Sequence, residues 1–395
     1  MRLSAHVTAA AFLLALPLAA AAPSAADAPV PSPVPAPLRA SADAIPGQYI
    51  VTLSGGQDAA ALAAQVPGVK ALHTYSSVLN GFAAKLTPAQ LDAVRRTPGV
   101  AAVEEDATVK VGPVAARRSV VAQSWGLDRI DQPYLPLDNR FDVGSDGRGV
   151  AVFVVDTGLD YGHQEFAGRA WFGYDAVGDG RQGADCNGHG THVAGTAGGA
   201  SFGVARAADL VSVRVLDCQG SGSYSGMIAG FDYVGRQADA GVVGVLNGSL
   251  GGARSQALND AVDAVAAKGI LPVVAAGNSS LDACQISPAS AERVLTVGAT
   301  DHRDRETDFS NFGPCLEIYA PGAQIVSARR GGGSMPMDGT SMAAPHVAGV
   351  AALYKAAHPA ADANTVRDWV LEHGAQDVLT VSKGSPNLLL QSSDL

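Results

Sequence analysis

The sequence predicts an α/β protein: a mostly parallel, doubly wound sheet with helices on both faces, preceded by a small split βαβ domain. Three observations carry this. Short apolar runs recur at 150–155, 210–215, 242–246, 270–275 and 294–297. Helix-like stretches such as 255–267 separate them, and buried strands alternating with helices build a parallel sheet covered on both sides. Ahead of them, residues 45–111 follow the order β-α-β-β-α-β of a split βαβ unit. A chain of 395 residues allows two or more globular units. Its 47% hydrophobic residues, 46 glycines and only 16% charged residues fit a compact protein and not a disordered or coiled one. The net charge of −10 argues against nucleic acid or an anionic membrane as partner, because both reward positive surface.

Taken in order, Arg2 precedes an apolar run over 7–18, followed by four alanines and then Ser24-Ala25-Ala26. A basic start, a core too short to span a bilayer and small residues after it read as a secretory signal peptide over 1–26. Cleavage after Ala26 is preferred to cleavage after Ala22, where Pro23 would follow. No other stretch is apolar enough for a membrane span, so a soluble, secreted product is expected. Residues 27–44 are alanine, proline and serine without periodicity and read as a flexible linker.

The small domain spans 45–112. Residues 48–53 alternate as a strand, 59–66 read as a helix, and Asn80-Gly81 between apolar residues signals a hairpin. Thr87-Pro88-Ala89-Gln90 supplies an N-cap, a proline at the first helical position and a glutamine that closes a capping box. That helix runs to Arg96, and Pro98-Gly99 turns into the last strand. Residues 113–124, with Arg117-Arg118, form a polar processing linker before the large segment 125–395.

Within that segment three motifs carry chemistry. Asp156 ends the run 150–155, His189 stands in Asn187-Gly188-His189-Gly190-Thr191-His192, and Ser341 stands in Gly339-Thr340-Ser341-Met342-Ala343-Ala344-Pro345. A serine hydroxyl is a poor nucleophile until a base takes its proton, and the base needs a carboxylate to fix its tautomer. Ser341 opens a helix, whose first N–H groups are free and whose dipole favours a developing oxyanion. Pro345 is tolerated there for the same reason. Asp156 and Asn247 fall at carboxyl ends of strands, where open α/β sheets bind ligands.

Val154-Val155-Asp156-Thr157-Gly158, the His189 motif and the Ser341 motif, in the order Asp…His…Ser, resemble the subtilisin-like serine proteases. The resemblance covers essentially all of 125–395, and its closest features are those of the proteinase K and aqualysin branch. It implies Asp156, His189 and Ser341 as catalytic residues and Asn278, in Ala275-Ala276-Gly277-Asn278, as partner of the Ser341 N–H in an oxyanion hole. It implies that Gly220-Ser221-Gly222 and Ser249-Leu250-Gly251-Gly252 are two backbone edges between which a peptide binds as an added strand, with Ala276 and Gly277 beside it. Tyr224 matches an outer-pocket residue, and a loose apolar or aromatic preference is expected. Pro46-Gly47-Gln48-Tyr49-Ile50-Val51, residues 80–86 and Pro98-Gly99-Val100 resemble the propeptide of the same enzymes, an intramolecular chaperone and inhibitor. Self-cleavage in 113–124 is implied, with processing by another protease at Arg117-Arg118 as the second reading.

Cys186, Cys218, Cys284 and Cys315 form an even set suited to an oxidising compartment, and the sequence alone leaves three connectivities. The resemblance selects Cys186–Cys218 and Cys284–Cys315. No catalytic cofactor is expected. Structural calcium is, at the hard oxygens of Asp128, Asp131, Gln132 and Asp138, which match a calcium loop of the aqualysin-like branch. Glu317 departs from an aspartate ligand of a second site. The resemblance implies polypeptide substrates and a monomer. Rival readings are an aspartic protease, which lacks its second carboxylate motif; a zinc site at Cys186, His189 and His192; a ligase or cyclase on the same scaffold; and a non-catalytic binding protein.

Overall fold

The computed structural model describes residues 34–112, 124–381, 384–392 and 395. The signal-peptide reading of 1–26 and nearly all of the processing linker lie outside them.

The small domain contains β1 (Leu38–Arg39), β2 (Ala44–Leu53), α1 (Ala59–Gln65), β3 (Ala71–Tyr75), β4 (Gly81–Lys85), α2 (Pro88–Arg96) and β5 (Val100–Lys110), with sheet order β1-β5-β2-β4-β3. Asp58 caps α1, and the Thr87–Gln90 capping box with Pro88 starts α2 as predicted. Strand alternation divides its apolar residues between two cores. Val51, Phe82, Ala84 and Val103 pack with Leu62 and Val94 of the domain's own helices. Ile50, Ala83, Ala107 and Val109 pack instead against the large segment.

Two readings need correction. Residues 34–44 do not behave as a flexible linker: Leu38 and Arg39 pair in parallel with Val103 and Glu104, and the Ala36 N–H donates to the Arg95 carbonyl at 2.7 Å. Composition hid this, because a two-residue strand has no period. The hairpin signalled at Asn80-Gly81 forms, with β3 and β4 paired antiparallel, but its connection is longer than a two-residue turn. Residues 76–80 connect β3 to β4, and Gly81 is already in the strand, where a Cβ would collide with the Val51 carbonyl.

The large segment continues with α3 (Trp125–Ile130), β6 (Ala151–Asp156), β7 (Ala170–Asp175), α4 (His189–Gly198), β8 (Asp209–Arg214), β9 (Ser221–Ser223), α5 (Tyr224–Asp239), β10 (Gly244–Gly248), β11 (Gly252–Ala253), α6 (Gln256–Ala267) and β12 (Leu271–Ala275). Then follow β13 (Ile286–Ser287), β14 (Leu295–Thr300), β15 (Ile318–Pro321), β16 (Ile325–Ala328), β17 (Ser334–Met337), α7 (Thr340–Ala357), α8 (Ala363–Glu372), β18 (Ala375–Gln376) and β19 (Leu388–Leu389). The central sheet has the order β18-β19-β15-β14-β12-β10-β6-β8-β7, parallel from β19 to β7 and antiparallel only at β18.

Both faces are covered, which explains why the strands read as unbroken apolar runs. Val152 and Val154 of β6 face α4 and α7, among Val193, Ala197 and Val347. Phe153 and Val155 face α5 and α6, among Met227, Phe231, Ala261 and Val265. Four strands of the sheet went unread, among them β18 and β19, which are two residues each. β7 is an edge strand that exposes Trp171 and Phe172, and β15 is four residues ending in a proline.

Candidate active site

Asp156 closes β6, His189 opens α4 and Ser341 is the second residue of α7. All three are buried. His189 Nδ1 lies 2.8 Å from Asp156 Oδ1 and 2.9 Å from Oδ2. The carboxylate also accepts the Thr157 N–H at 2.7 Å, so its orientation is fixed from two sides. With Nδ1 engaged, Nε2 is left without a hydrogen-bond partner. The Ser341 hydroxyl donates to the Ser249 carbonyl at 3.1 Å instead. Ser249 Oγ returns a bond to the Ser341 carbonyl at 2.9 Å and accepts from Asn247 Nδ2 at 2.9 Å.

Asn278 follows β12. Its Oδ1 accepts both the N–H and the hydroxyl of Thr340 at 2.8 Å. Its Nδ2 lies between Gly112 and the start of α7: a Cβ on Gly112 would come within 2.5 Å of it and one on Gly339 within 3.3 Å. Asn311 holds this loop, donating to the Ala276 carbonyl and accepting from the Ser279 and Leu281 N–H groups. Sequence reading missed Thr340 and Asn311, and no local signal marks Asn311.

A cavity of about 320 Å³ opens beside Ser341, lined by Leu250, Gly252, Ala253, Gly277, Ile286 and Asn278 among others. The two expected edges both hold the chain's own strand. Thr108, Val109 and Lys110 of β5 pair antiparallel with Ser223, Gly222 and Ser221, the Val111 N–H donates to the Gly220 carbonyl at 3.0 Å, and Lys110 bridges to Gly251. Ala276 is fully buried beneath the loop and does not line the cavity. Neither does Tyr224: it is fully buried, donates to the Ala253 carbonyl at 2.6 Å, and burial raises its hydroxyl pKa far above the ordinary range.

The small domain is held by acids at helix starts, where free N–H groups attract carboxylates. Glu104 accepts from the Ser255 hydroxyl and the Ala257 N–H at the start of α6. Asp106 accepts the Ser225 N–H of α5 at 3.0 Å. Conversely Asp232 of α5, paired with Arg236, accepts the N–H groups of Ser76, Ser77 and Val78.

Cys186–Cys218 and Cys284–Cys315 are disulfides, as the resemblance implied. Cys186 is therefore no zinc ligand, and His192 Nε2 faces the carbonyls of Ile325 and Met335. Asp128, Asp131, Gln132 and Asp138 share one turn but do not converge. Asp128 accepts the Asp138 and Asn139 N–H groups, Gln132 Oε1 accepts Asp138 N–H, and Asp131 accepts Asp142 N–H. Among the described residues no three His, Cys, Asp or Glu side chains form a metal-binding group. Glu317 is paired with Arg367, so a cation already stands there.

Residues 147–387 match the family described as subtilase, and residues 48–112 match peptidase inhibitor I9. The chain belongs to the subtilase family. It is 47% identical over 315 residues to alkaline serine exoprotease A of Vibrio alginolyticus, covering 80% of this chain and 59% of that protein. It thus spans less than two thirds of that relative's length. It is 43% identical to the extracellular serine proteinase of Thermus sp. (strain Rt41A), over 88% of this chain and 90% of the relative. A crystal structure of a cold adapted subtilisin-like serine proteinase aligns with a TM-score of 0.66 at 46% identity, covering 68% of this chain and 98% of that one. The small domain is accordingly an inhibitor propeptide of the subtilase kind.

Proposed function

We propose that the chain is the precursor of a secreted serine endopeptidase of broad specificity. The observation that carries the reading is the Asp156–His189 pair at 2.8 Å at the start of α4, a helix packed against α7, whose second residue is Ser341. Asp156 holds the Nδ1 proton, which leaves Nε2 free to take the proton of Ser341 as its oxygen attacks a peptide carbonyl. The same imidazole then returns the proton to the leaving amine, and water releases the acyl-enzyme by the reverse exchange. The Ser341 N–H and Asn278 Nδ2 are the donors for the oxyanion. Subtilisin-like enzymes need no catalytic cofactor. The cavity lining is apolar, which favours apolar or aromatic residues at the cleaved position.

Residues 45–112 are the inhibitor, 113–124 the self-processed junction and 125–395 the enzyme, a monomer acting on polypeptides. A signal peptide over 1–26 directs it outside the cell, as two disulfides and extracellular relatives support. Calcium at Asp128, Asp131, Gln132 and Asp138 is part of the proposal. It rests on the resemblance alone, because in the structure these oxygens accept backbone N–H groups and do not converge. EDTA should then speed thermal inactivation without lowering the initial rate; identical inactivation curves would remove calcium from the account.

The decisive experiment digests a mixed protein with the exported enzyme, with and without a serine-directed phosphonofluoridate, and maps the cuts. Cuts abolished by the reagent support the proposal. Joined peptides from donors with free N-termini would favour the ligase reading, because the acyl-enzyme also reacts with amines.

A further inference from the structure

We infer that Asp185 is a positioning residue that fixes the catalytic imidazole by tying the start of α4 to the residue after Asp156. The inference rests on the triad reading above. Asp185 is buried and touches none of the reacting groups. Its Oδ1 accepts the Thr157 hydroxyl at 3.0 Å and the N–H groups of Asn187 and Gly188 at 2.9 Å. Its Oδ2 accepts the N–H of Thr191 at 3.0 Å and its hydroxyl at 2.5 Å. One carboxylate thus receives five donors, from both sides of His189 and from the neighbour of the catalytic acid.

The helix needs this arrangement. Its N-cap is Gly188, at φ 113°, with no side chain to satisfy the first free N–H groups. Thr157 and Asp185 supply the missing acceptors: Thr157 Oγ1 accepts the Gly190 N–H at 2.9 Å and donates its own hydroxyl to Asp185. A negative charge at this end also suits the helix dipole. Contact is so close that a Cβ on Gly190 would collide with the Gly158 carbonyl. The Asp156–His189 separation is therefore set by a rigid bracket whose centre is Asp185, and Cys186 pins the adjoining residue to Cys218.

The test is Asp185→Asn in the full precursor, compared with wild type after counting competent sites by stoichiometric phosphonofluoridate labelling. An amide keeps the shape but turns N–H donors toward Thr191, whose own N–H then loses its acceptor. We expect kcat per labelled site to fall about 10²-fold with KM held within about threefold, the effect of misplacing a catalytic group by about 1 Å. Thr157→Val should be non-additive with it, because both act through one bracket. An unchanged kcat per labelled site, with only the labelled fraction or thermal midpoint reduced, would overturn the inference and leave a structural role. If Asp185→Asn does not accumulate, Thr191→Val removes the hydroxyl donor to Asp185, together with the acceptor of the Asp160 N–H, and should give the same split on a smaller scale, about threefold to tenfold. Failure of the triad itself would appear separately, as wild-type enzyme that hydrolyses peptides yet takes no label.

Discussion

The Ser341 hydroxyl donates to the Ser249 carbonyl at 3.1 Å, which ties the nucleophile to the backbone edge that flanks the cleft. Apo sites commonly hold such loose arrangements and tighten when substrate arrives. Ser249→Ala keeps that carbonyl but removes the bond from Ser249 Oγ to the Ser341 carbonyl, and it orphans Asn247 Nδ2. Losing a buried acceptor costs about 1–3 kcal/mol. Chemical denaturation should show a drop of that size, with kcat/KM reduced; wild-type stability would mean the pair is not part of the folded core.

Asn278 is oriented by Thr340 alone on its Oδ1 side, so its amide hydrogens are committed to the cleft. Asn278→Ala should lower kcat about 10²–10³-fold with little change in KM, a magnitude measured on subtilisin itself. Asn278→Asp should be worse than alanine, because it sets an acceptor where the oxyanion develops. Equal rates for the two variants would argue against a donor role.

The residues proposed as the triad were legible because each sits in a glycine-bearing motif at a strand end or helix start, where spacing along the chain is informative. Asp185 and Asn311 were not legible. Each is a single polar residue in a loop whose role depends on a partner distant in sequence, Thr157 for Asp185 and Ala276 for Asn311. The central strands were readable because both faces of the sheet are buried. β7 was not, since an edge strand with Trp171 and Phe172 outside breaks that pattern. Tyr224 shows the reverse failure: the motif marked it as an outer-pocket residue, but packing under Gly252 buries it away from the cavity.

Asp232 is 1% exposed and accepts three propeptide N–H groups. In a Ser341→Ala precursor, Asp232→Ala should expose the amides of 76–78 to rapid hydrogen exchange and weaken propeptide docking, at about 1–3 kcal/mol for each donor left unsatisfied. Unchanged protection at these amides would show that apolar packing around Ile50 and Val78 suffices.

Burial lowers the pKa of His192 to about 3 and of His346 to about 4, against the ordinary imidazole value of 6.5. Both are neutral when folded and take up protons on unfolding below 6.5, so the unfolded state binds more protons there and stability falls with falling pH. The loss should begin near pH 6.5 and continue to about 4, at about 1.4 kcal/mol per pH unit for each histidine. Denaturant titrations of His346→Gln across that range should show a slope shallower by one histidine's share. A slope equal to wild type would contradict the assignment.

Ser341 as nucleophile is tested most directly by mass-spectrometric location of a phosphonofluoridate label on the mature enzyme. The account predicts one label per chain, on Ser341, lost in His189→Ala together with peptide hydrolysis. A label on another residue, or hydrolysis that survives Ser341→Ala, would contradict it.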